Sequence, residues 1–208
     1  MKKVIIFDMD GVIFDSIELI YRYQLAKYPT LTREKYRDML VNSESKTDEA
    51  KHVPIERTPQ ETEFSRLQYA SDKLYCPLYE GIHDLLEYIH KLDYIVALNT
   101  NAYERNSIPL LEKADIAKLF DFLATRDTSK SKVEKFAMIQ EKYHVPKQDM
   151  LFITDTLGDI RDADTAGIPT VAVTWGFHDK SYFEREKHPN LIAIVDSVNE
   201  LKSFIEKY

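Results

Sequence analysis

Residues 4–11 read VIIFDMDG, and this stretch indicates a buried strand with a polar site at its end. The four apolar residues Val4–Phe7 are typical of a strand buried on both faces of a parallel sheet. Side chains two residues apart on an extended chain point the same way, so Asp8 and Asp10 should converge at the carboxyl end of the strand. Gly11 would let the chain turn away sharply. Because Asp and Gly are also ordinary turn residues, this string alone is compatible with a surface turn.

Further short apolar runs alternate with stretches in which apolar residues recur at helical spacing, as in Ile82–Ile89, 132–143 and Val198–Ile205. This alternation predicts βαβ units and an α/β fold, with a Rossmann-like parallel sheet at its core. Ligands bind such sheets at the carboxyl ends of the strands. The further predicted strands are Tyr94–Leu98, Phe122–Ala124, Met150–Ile153, Thr170–Val173 and the weaker run Leu191–Val195.

Residues 16–78 interrupt this rhythm, because they contain no convincing strand. They predict three helices, over 16–28, 33–41 and 60–75, with a polar linker over 42–59. We interpret this region as a helical cap inserted after the first strand. The core is then made of residues 1–15 and 79–208.

The composition is that of an ordinary globular protein, with 208 residues, 44% hydrophobic and 30% charged. A formal net charge of −7 argues against sequence-independent nucleic-acid binding and against an anionic membrane surface. Cys76 is the single cysteine, so no intrachain disulfide can form. No apolar stretch approaches the roughly 20 residues of a membrane span. We expect a soluble, cytoplasmic protein; both a monomer and a homodimer stay open.

A second polar motif follows the predicted strand Met150–Ile153, where Asp155 and Asp159 stand four residues apart. They could share one face of a first helical turn, or Asp155 could simply cap that helix. Together with Asp8 and Asp10 they would form a cluster of like charge, which a hard divalent cation relieves. Mg²⁺ is the usual choice beside phosphates.

Two weaker signals complete the set. Thr100 and Asn101 follow the strand Tyr94–Leu98 and could bind phosphate oxygens, although both are also common caps. Lys130 and Lys132 precede or open the helix 132–143, where a lysine could neutralise a carboxylate and a phosphate. Ser131 and Glu134 have capping-box spacing. Either lysine alone could be an ordinary surface residue.

The four elements in this order resemble the motif signature of the haloacid dehalogenase superfamily. The stretch from Asp8 to Ser16 is similar to its phosphoglycolate phosphatase and β-phosphoglucomutase branch, which carries a helical cap after the first motif. The resemblance covers about residues 1–15 and 79–180. It departs from the family pattern at Thr154, where a glycine is usual, and at the third motif, which lacks the usual Lys-Pro pair.

The resemblance implies an Mg²⁺-dependent phosphatase that acts on a small phosphorylated metabolite. Asp8 would be the nucleophile that forms an aspartyl-phosphate, and Asp10 the general acid and base. By the same resemblance, Mg²⁺ would be held by the Asp8 carboxylate, the Asp10 backbone carbonyl and Asp155, with Asp159 a direct or indirect ligand. Thr100 and Asn101 would hold phosphate oxygens, and a lysine would offset the charge. We favour Lys132 over Lys130, because Ser131 is a good N-cap and places Lys132 in the first helical turn.

Two alternatives remain. A phosphomutase of the same fold is less favoured, because Ile20 stands where that branch carries a cap histidine. A catalytically silent regulatory or binding relative is less favoured because all the catalytic residue types are present.

Overall fold

The fold is built on a six-stranded, all-parallel sheet in the order β3-β2-β1-β4-β5-β6. The computed structural model describes residues 2–41 and 54–208. This strand order reverses between β1 and β4, which is the switch point where α/β proteins bind ligands. The strands are β1 (Val4–Phe7), β2 (Ile95–Asn99), β3 (Phe122–Ala124), β4 (Met150–Thr154), β5 (Thr170–Val173) and β6 (Leu191–Val195).

Helices cover both faces of the sheet. In the described part of the chain they are α1 (Ile17–Lys27), α2 (Arg33–Met39), α3 (Pro59–Lys73), α4 (Ile82–Lys91), α5 (Glu104–Lys113), α6 (Lys132–Tyr143), α7 (Leu157–Ala166), α8 (Lys180–Phe183) and α9 (Val198–Ile205), with short 3₁₀ turns at Ala117–Leu119 and Lys147–Asp149. None of the described helices is long and apolar enough to cross a membrane.

The alternation of side chains along β1 divides the apolar core into two layers. Ile5 and Phe7 face α4, α5 and α9, whereas Val4 and Ile6 face α6 and α7. All four side chains are fully buried. Because both faces of β1 are covered, β1 is a continuous apolar run. The run ends at Phe7, and the chain leaves the sheet at Asp8.

The helices α1–α3 lie between the first and second strands in sequence, and the end of α2 packs onto the core. The backbone N–H of Gly158 donates to the carbonyl of Leu40 at 3.1 Å. The buried His178 ring accepts from the Leu157 N–H at 2.9 Å, so its other nitrogen donates to the Arg37 carbonyl at 2.8 Å. Burial lowers the pKa of His178, in keeping with this neutral form.

The α/β fold predicted from the sequence is confirmed, and all six predicted strands are present within one residue. The three helices predicted over 16–78 are also present, as α1, α2 and α3. The predicted linker over 42–59 lies outside the described residues for 42–53. The boundaries of core and cap as separate domains stay a prediction.

Candidate active site

Three neighbouring strands deliver polar residues to one edge of the sheet. Asp8 follows β1, Thr100 follows β2, and Asp155 follows β4. Because β1 lies between β2 and β4 in the sheet, these residues come together at the switch point. Asp8 is anchored by its backbone N–H, which donates to the Ile153 carbonyl at 2.9 Å.

A buried lysine joins two of the carboxylates. The Lys132 ammonium lies 2.9 Å from Asp8 Oδ1 and 2.7 Å from Asp159 Oδ2, and its side chain is 2% exposed. Ser131 caps the helix by accepting from the Glu134 N–H at 3.3 Å, which sets Lys132 as the first residue of α6. The structure therefore brings Lys132 into the site.

Lys130, by contrast, is exposed to solvent. The capping box expected at Ser131 and Glu134 is only half formed, since the Glu134 carboxylate accepts from the Ser129 hydroxyl at 2.6 Å. A complete capping box, in which each side chain bonds the other residue's backbone N–H, is found at the start of α3 between Thr58 and Glu61.

Two buried polar residues that the sequence interpretation did not place in the site support Lys132 and its partner. The Thr154 hydroxyl donates to Asp159 Oδ2 at 2.8 Å. The Asn99 side-chain amide donates to the Lys132 carbonyl at 3.1 Å. Both residues are inaccessible to solvent. Their position at the ends of β4 and β2 is the sequence signal that could have indicated them.

Asp155 is fully buried, and it precedes helix α7 rather than lying on it, because Thr156 is the N-cap. The expectation that Asp155 and Asp159 share a helical face is therefore wrong. The Phe177 N–H donates to Asp155 Oδ2 at 2.8 Å, whereas Oδ1 has no hydrogen-bond partner among the described residues. A Cβ on Gly11 would overlap this carboxylate, and Gly11 also has a φ of 78°.

Asp10 is held at both carboxylate oxygens. The Ser16 hydroxyl donates to Oδ1 at 2.6 Å, and the Lys73 ammonium donates to Oδ2 at 2.8 Å. Ser16 begins the inserted helices and Lys73 ends α3. The sequence interpretation placed Lys73 on a helix but did not connect it to the site.

The two candidate phosphate-binding residues lie beside a second buried lysine. Lys135, one turn after Lys132, donates to the Thr100 carbonyl at 2.6 Å and to Asn101 Oδ1 at 3.0 Å. The Thr100 hydroxyl accepts from the Ala102 N–H at 3.1 Å, while the Thr100 N–H is bound to the Ala124 carbonyl. The role of Thr100 and Asn101 in binding phosphate stays a prediction.

Burial and charge shift the pKa values in this site strongly. Burial raises the pKa of Asp8 to about 6, with Lys132 opposing the shift and Asp159 adding to it. Burial and the neighbouring Asp8 raise the pKa of Asp155. Burial alone would lower the pKa of Lys132, but Asp159 and Asp8 raise it above its ordinary value. Burial and the nearby Lys132 lower the pKa of Lys135 to about 7.

The donor set fits Mg²⁺. Asp8 and Asp155 supply two buried carboxylates whose mutual repulsion a cation would relieve, and the unpartnered Asp155 Oδ1 is a hard oxygen ligand of the kind that Mg²⁺ prefers. Among residues 2–41 and 54–208, no three His, Cys, Asp or Glu side chains could hold a metal ion together. The carboxylates of Asp10 and Asp159 contact Lys73 and Lys132, and their expected parts in metal binding stay predictions.

The fold and site define a Rossmann-like protein with buried carboxylates and a lysine at the switch point of its sheet. Residues 5–173 match the model of the haloacid dehalogenase-like hydrolases, and the chain belongs to this family. The family predicted from the four motifs is thereby confirmed.

Curated relatives and solved structures agree with this assignment. The chain is 27% identical to a phosphoglycolate phosphatase of Vibrio parahaemolyticus, over 96% of this chain and 94% of the relative. It is 25% identical to a phosphoglycolate phosphatase of Pseudomonas savastanoi, over 97% and 79% of the two chains. Its fold is similar to that of a predicted phosphatase from Clostridium acetobutylicum, with a TM-score of 0.76, 21% identity and full coverage of both chains.

Proposed function

We propose that the protein hydrolyses a small phosphomonoester through an aspartyl-phosphate formed on Asp8, with Mg²⁺ bound. In this role it is a phosphoric monoester hydrolase, the class to which the phosphoglycolate phosphatases among its relatives belong. The observation that carries the proposal is the placement of Asp8, a buried carboxylate 2.9 Å from the Lys132 ammonium at the switch point of the sheet.

In the first step an Asp8 oxygen attacks phosphorus and the ester bond to the leaving oxygen breaks. Asp10 gives its proton to that oxygen and then takes a proton from the water that attacks the aspartyl-phosphate. The bond between phosphorus and Asp8 breaks, which releases inorganic phosphate and restores the carboxylate. Bound Mg²⁺ would withdraw charge from the phosphoryl oxygens and reduce their repulsion by Asp8.

The remaining residues bind and orient. Lys132 lies against Asp8 and Asp159 and offsets the negative charge of Asp8. It would do the same for a phosphoryl group transferred to Asp8. Thr100 and Asn101 would bind phosphate oxygens from the end of β2. Catalysis of phosphoryl transfer rests mainly on such positioning and charge neutralisation.

A phosphomutase is disfavoured by the surroundings of Ile20. This side chain packs with an apolar cluster that includes Tyr28, Tyr36 and Phe177, whereas the phosphomutase branch carries a histidine at the matching place. A silent relative is disfavoured because Lys132 and Asp8 keep a close buried ion pair, which a chain without turnover has no need to retain.

The test is a phosphate-release screen of the purified protein with Mg²⁺ over a panel of phosphomonoesters. The panel includes phosphoglycolate, sugar phosphates, nucleoside monophosphates and 4-nitrophenyl phosphate. Asp8→Asn is nearly isosteric and leaves Lys132 paired with Asp159 at 2.7 Å, so it should fold and release no phosphate. Asp84→Asn, at an exposed position on α4, serves as the matched control and should retain full turnover. More than trace turnover by Asp8→Asn would overturn the proposal.

A further inference from the structure

Helix α3 buries an unusual residue. Lys73 is the single buried residue among the 15 residues of α3, all of which the structure describes, and its side chain is 1% exposed. Lysine is almost never fully buried unless it is paired. Helix α3 therefore buries a charged side chain where an apolar one would ordinarily be found.

The partner of Lys73 is Asp10, with the ammonium 2.8 Å from Oδ2. The Lys73 ammonium also contacts a residue of its own helix, since the Tyr69 hydroxyl lies 3.4 Å from it. Tyr69 in turn packs edge-on against Tyr23 of α1, with ring centroids 5.1 Å apart. Lys73 is thus held in place by two of the inserted helices.

A carboxylate that transfers a proton must keep one orientation toward the leaving oxygen. From the described residues each oxygen of Asp10 accepts one hydrogen bond, from the Ser16 hydroxyl to Oδ1 and from the Lys73 ammonium to Oδ2. A carboxylate offers about four lone-pair sites, so both oxygens keep capacity for a substrate or a proton. With Lys73 removed, the Ser16 hydroxyl would be the one hydrogen-bond donor left, among the residues that the structure describes, to oppose rotation of the carboxylate.

We propose that Lys73 is a positioning residue for the acid–base group Asp10, by which the inserted helices set the orientation of that carboxylate. This inference rests on the proposed phosphatase function. A purely structural role, in which Lys73 only fastens α3 to the core, is the competing explanation. The positioning role and the structural role differ in how the loss of kcat/KM on substitution of Lys73 depends on the leaving group of the substrate.

General-acid assistance matters most when the leaving oxygen is strongly basic, as in an alkyl phosphate. It matters little for 4-nitrophenyl phosphate, whose leaving group departs as a stable anion. The ratio kcat/KM covers the steps up to formation of the aspartyl-phosphate, so it reports this assistance directly. General-acid assistance is typically worth about 100- to 10,000-fold in rate, and partial loss of orientation removes part of it.

The experiment compares Lys73→Met with the parent protein on 4-nitrophenyl phosphate and on the alkyl phosphate most active in the screen. We expect kcat/KM to fall at least about tenfold more on the alkyl phosphate, with the same pattern, larger in size, for Asp10→Asn. Arg66→Met removes an exposed cation from the same helix and should leave both substrates unchanged. Equal losses of kcat/KM by Lys73→Met on the two substrates would overturn the inference.

Two further variants, Lys73→Arg and Asp8→Asn, separate the inference about Lys73 from a folding defect and from the proposed mechanism. Should Lys73→Met fail to fold, Lys73→Arg retains the cation in a displaced position, and the same comparison of substrates applies to it. A loss confined to the alkyl phosphate supports the inference, and an equal loss overturns it. Turnover by Asp8→Asn would instead contradict the aspartyl-phosphate mechanism, whatever the Lys73 variants do.

Discussion

The Lys132 ammonium and the Asp8 carboxylate form a 2.9 Å ion pair in which both side chains are shielded from water. In that environment a cation interacts with developing charge far more strongly than at the surface. We therefore predict that Lys132→Met lowers kcat by about a hundredfold or more, the usual effect of removing one electrostatic donor from an active site.

The matched control for this variant is Lys130→Met, two residues earlier and exposed, which should stay near parental activity. Thermal unfolding of both variants separates lost catalysis from lost folding, since removal of one partner of a buried pair also destabilises. The reverse outcome, with Lys130→Met inactive and Lys132→Met active, would show that Lys130 is the catalytic lysine.

Metal removal should abolish turnover. The buried carboxylates of Asp8 and Asp155 repel each other, and Asp155 Oδ1 has no hydrogen-bond partner in the described part of the chain. We expect activity to disappear in excess chelator and to return with Mg²⁺, whereas Ca²⁺ should restore little because its coordination is larger and looser. Phosphate release measured across a metal titration tests this, and full activity in chelator would contradict it.

The sheet was predictable because strands buried on both faces give continuous apolar runs. The ends of β2 and β4 each lie one residue later than expected, at Asn99 and Thr154, and they show the limit of this rule. The second strand was expected to end at Leu98 but extends to Asn99, a polar residue that pairs with Ala124 and is buried beneath Lys132. A polar residue at a strand end is recognised as part of the strand only once its buried partner is known.

The carboxylates of the site were also predictable, because they follow strands at the carboxyl edge of the sheet. The lysines were predictable only in part. Lys132 was indicated by the cap at Ser131, which is a local signal. Lys73 and Lys135 have no such signal, because their burial depends on partners at Asp10 and Thr100 that are distant in sequence.

A substitution at Thr154 tests the contribution of its hydrogen bond to the Asp159 carboxylate. Thr154→Val removes the hydroxyl that donates to Asp159 Oδ2 and keeps the side-chain volume. Among the described residues, the Asp159 carboxylate then retains the Lys132 ammonium as its donor. We predict a loss of about 1–2 kcal/mol in the free energy of unfolding and a several-fold fall in kcat. Thr154→Ser keeps the hydroxyl and should restore most of both.

The matched control is Thr170→Val on β5, which removes an equally buried hydroxyl that donates to the Ile168 carbonyl at 2.9 Å. It should lower stability in denaturant titrations without changing kcat. Equal kinetic effects of the two valine variants would mean that the Thr154 hydroxyl acts on stability alone.

Lys135 gives the site a pH-dependent charge. Burial and the repulsion of Lys132 lower its pKa to about 7, whereas Asp8, Asp159 and Arg126 are the other charged groups that act on it. Below that pH the side chain is a cation and attracts an anion bound at Thr100 and Asn101, which it contacts directly. Above that pH it is neutral in the free protein, so part of its contribution to anion binding is lost.

Sulfate is the probe of choice, because it stays dianionic across this pH range and binds as a mimic of phosphate. We predict that Lys135→Met weakens sulfate binding about tenfold near pH 6, equivalent to about 1.4 kcal/mol, and clearly less near pH 8.5. Calorimetric titration at several pH values, with the exposed Lys142→Met on the same helix as control, measures the difference. A loss of affinity that is constant across the range, or that grows as the pH rises, would contradict a titrating Lys135.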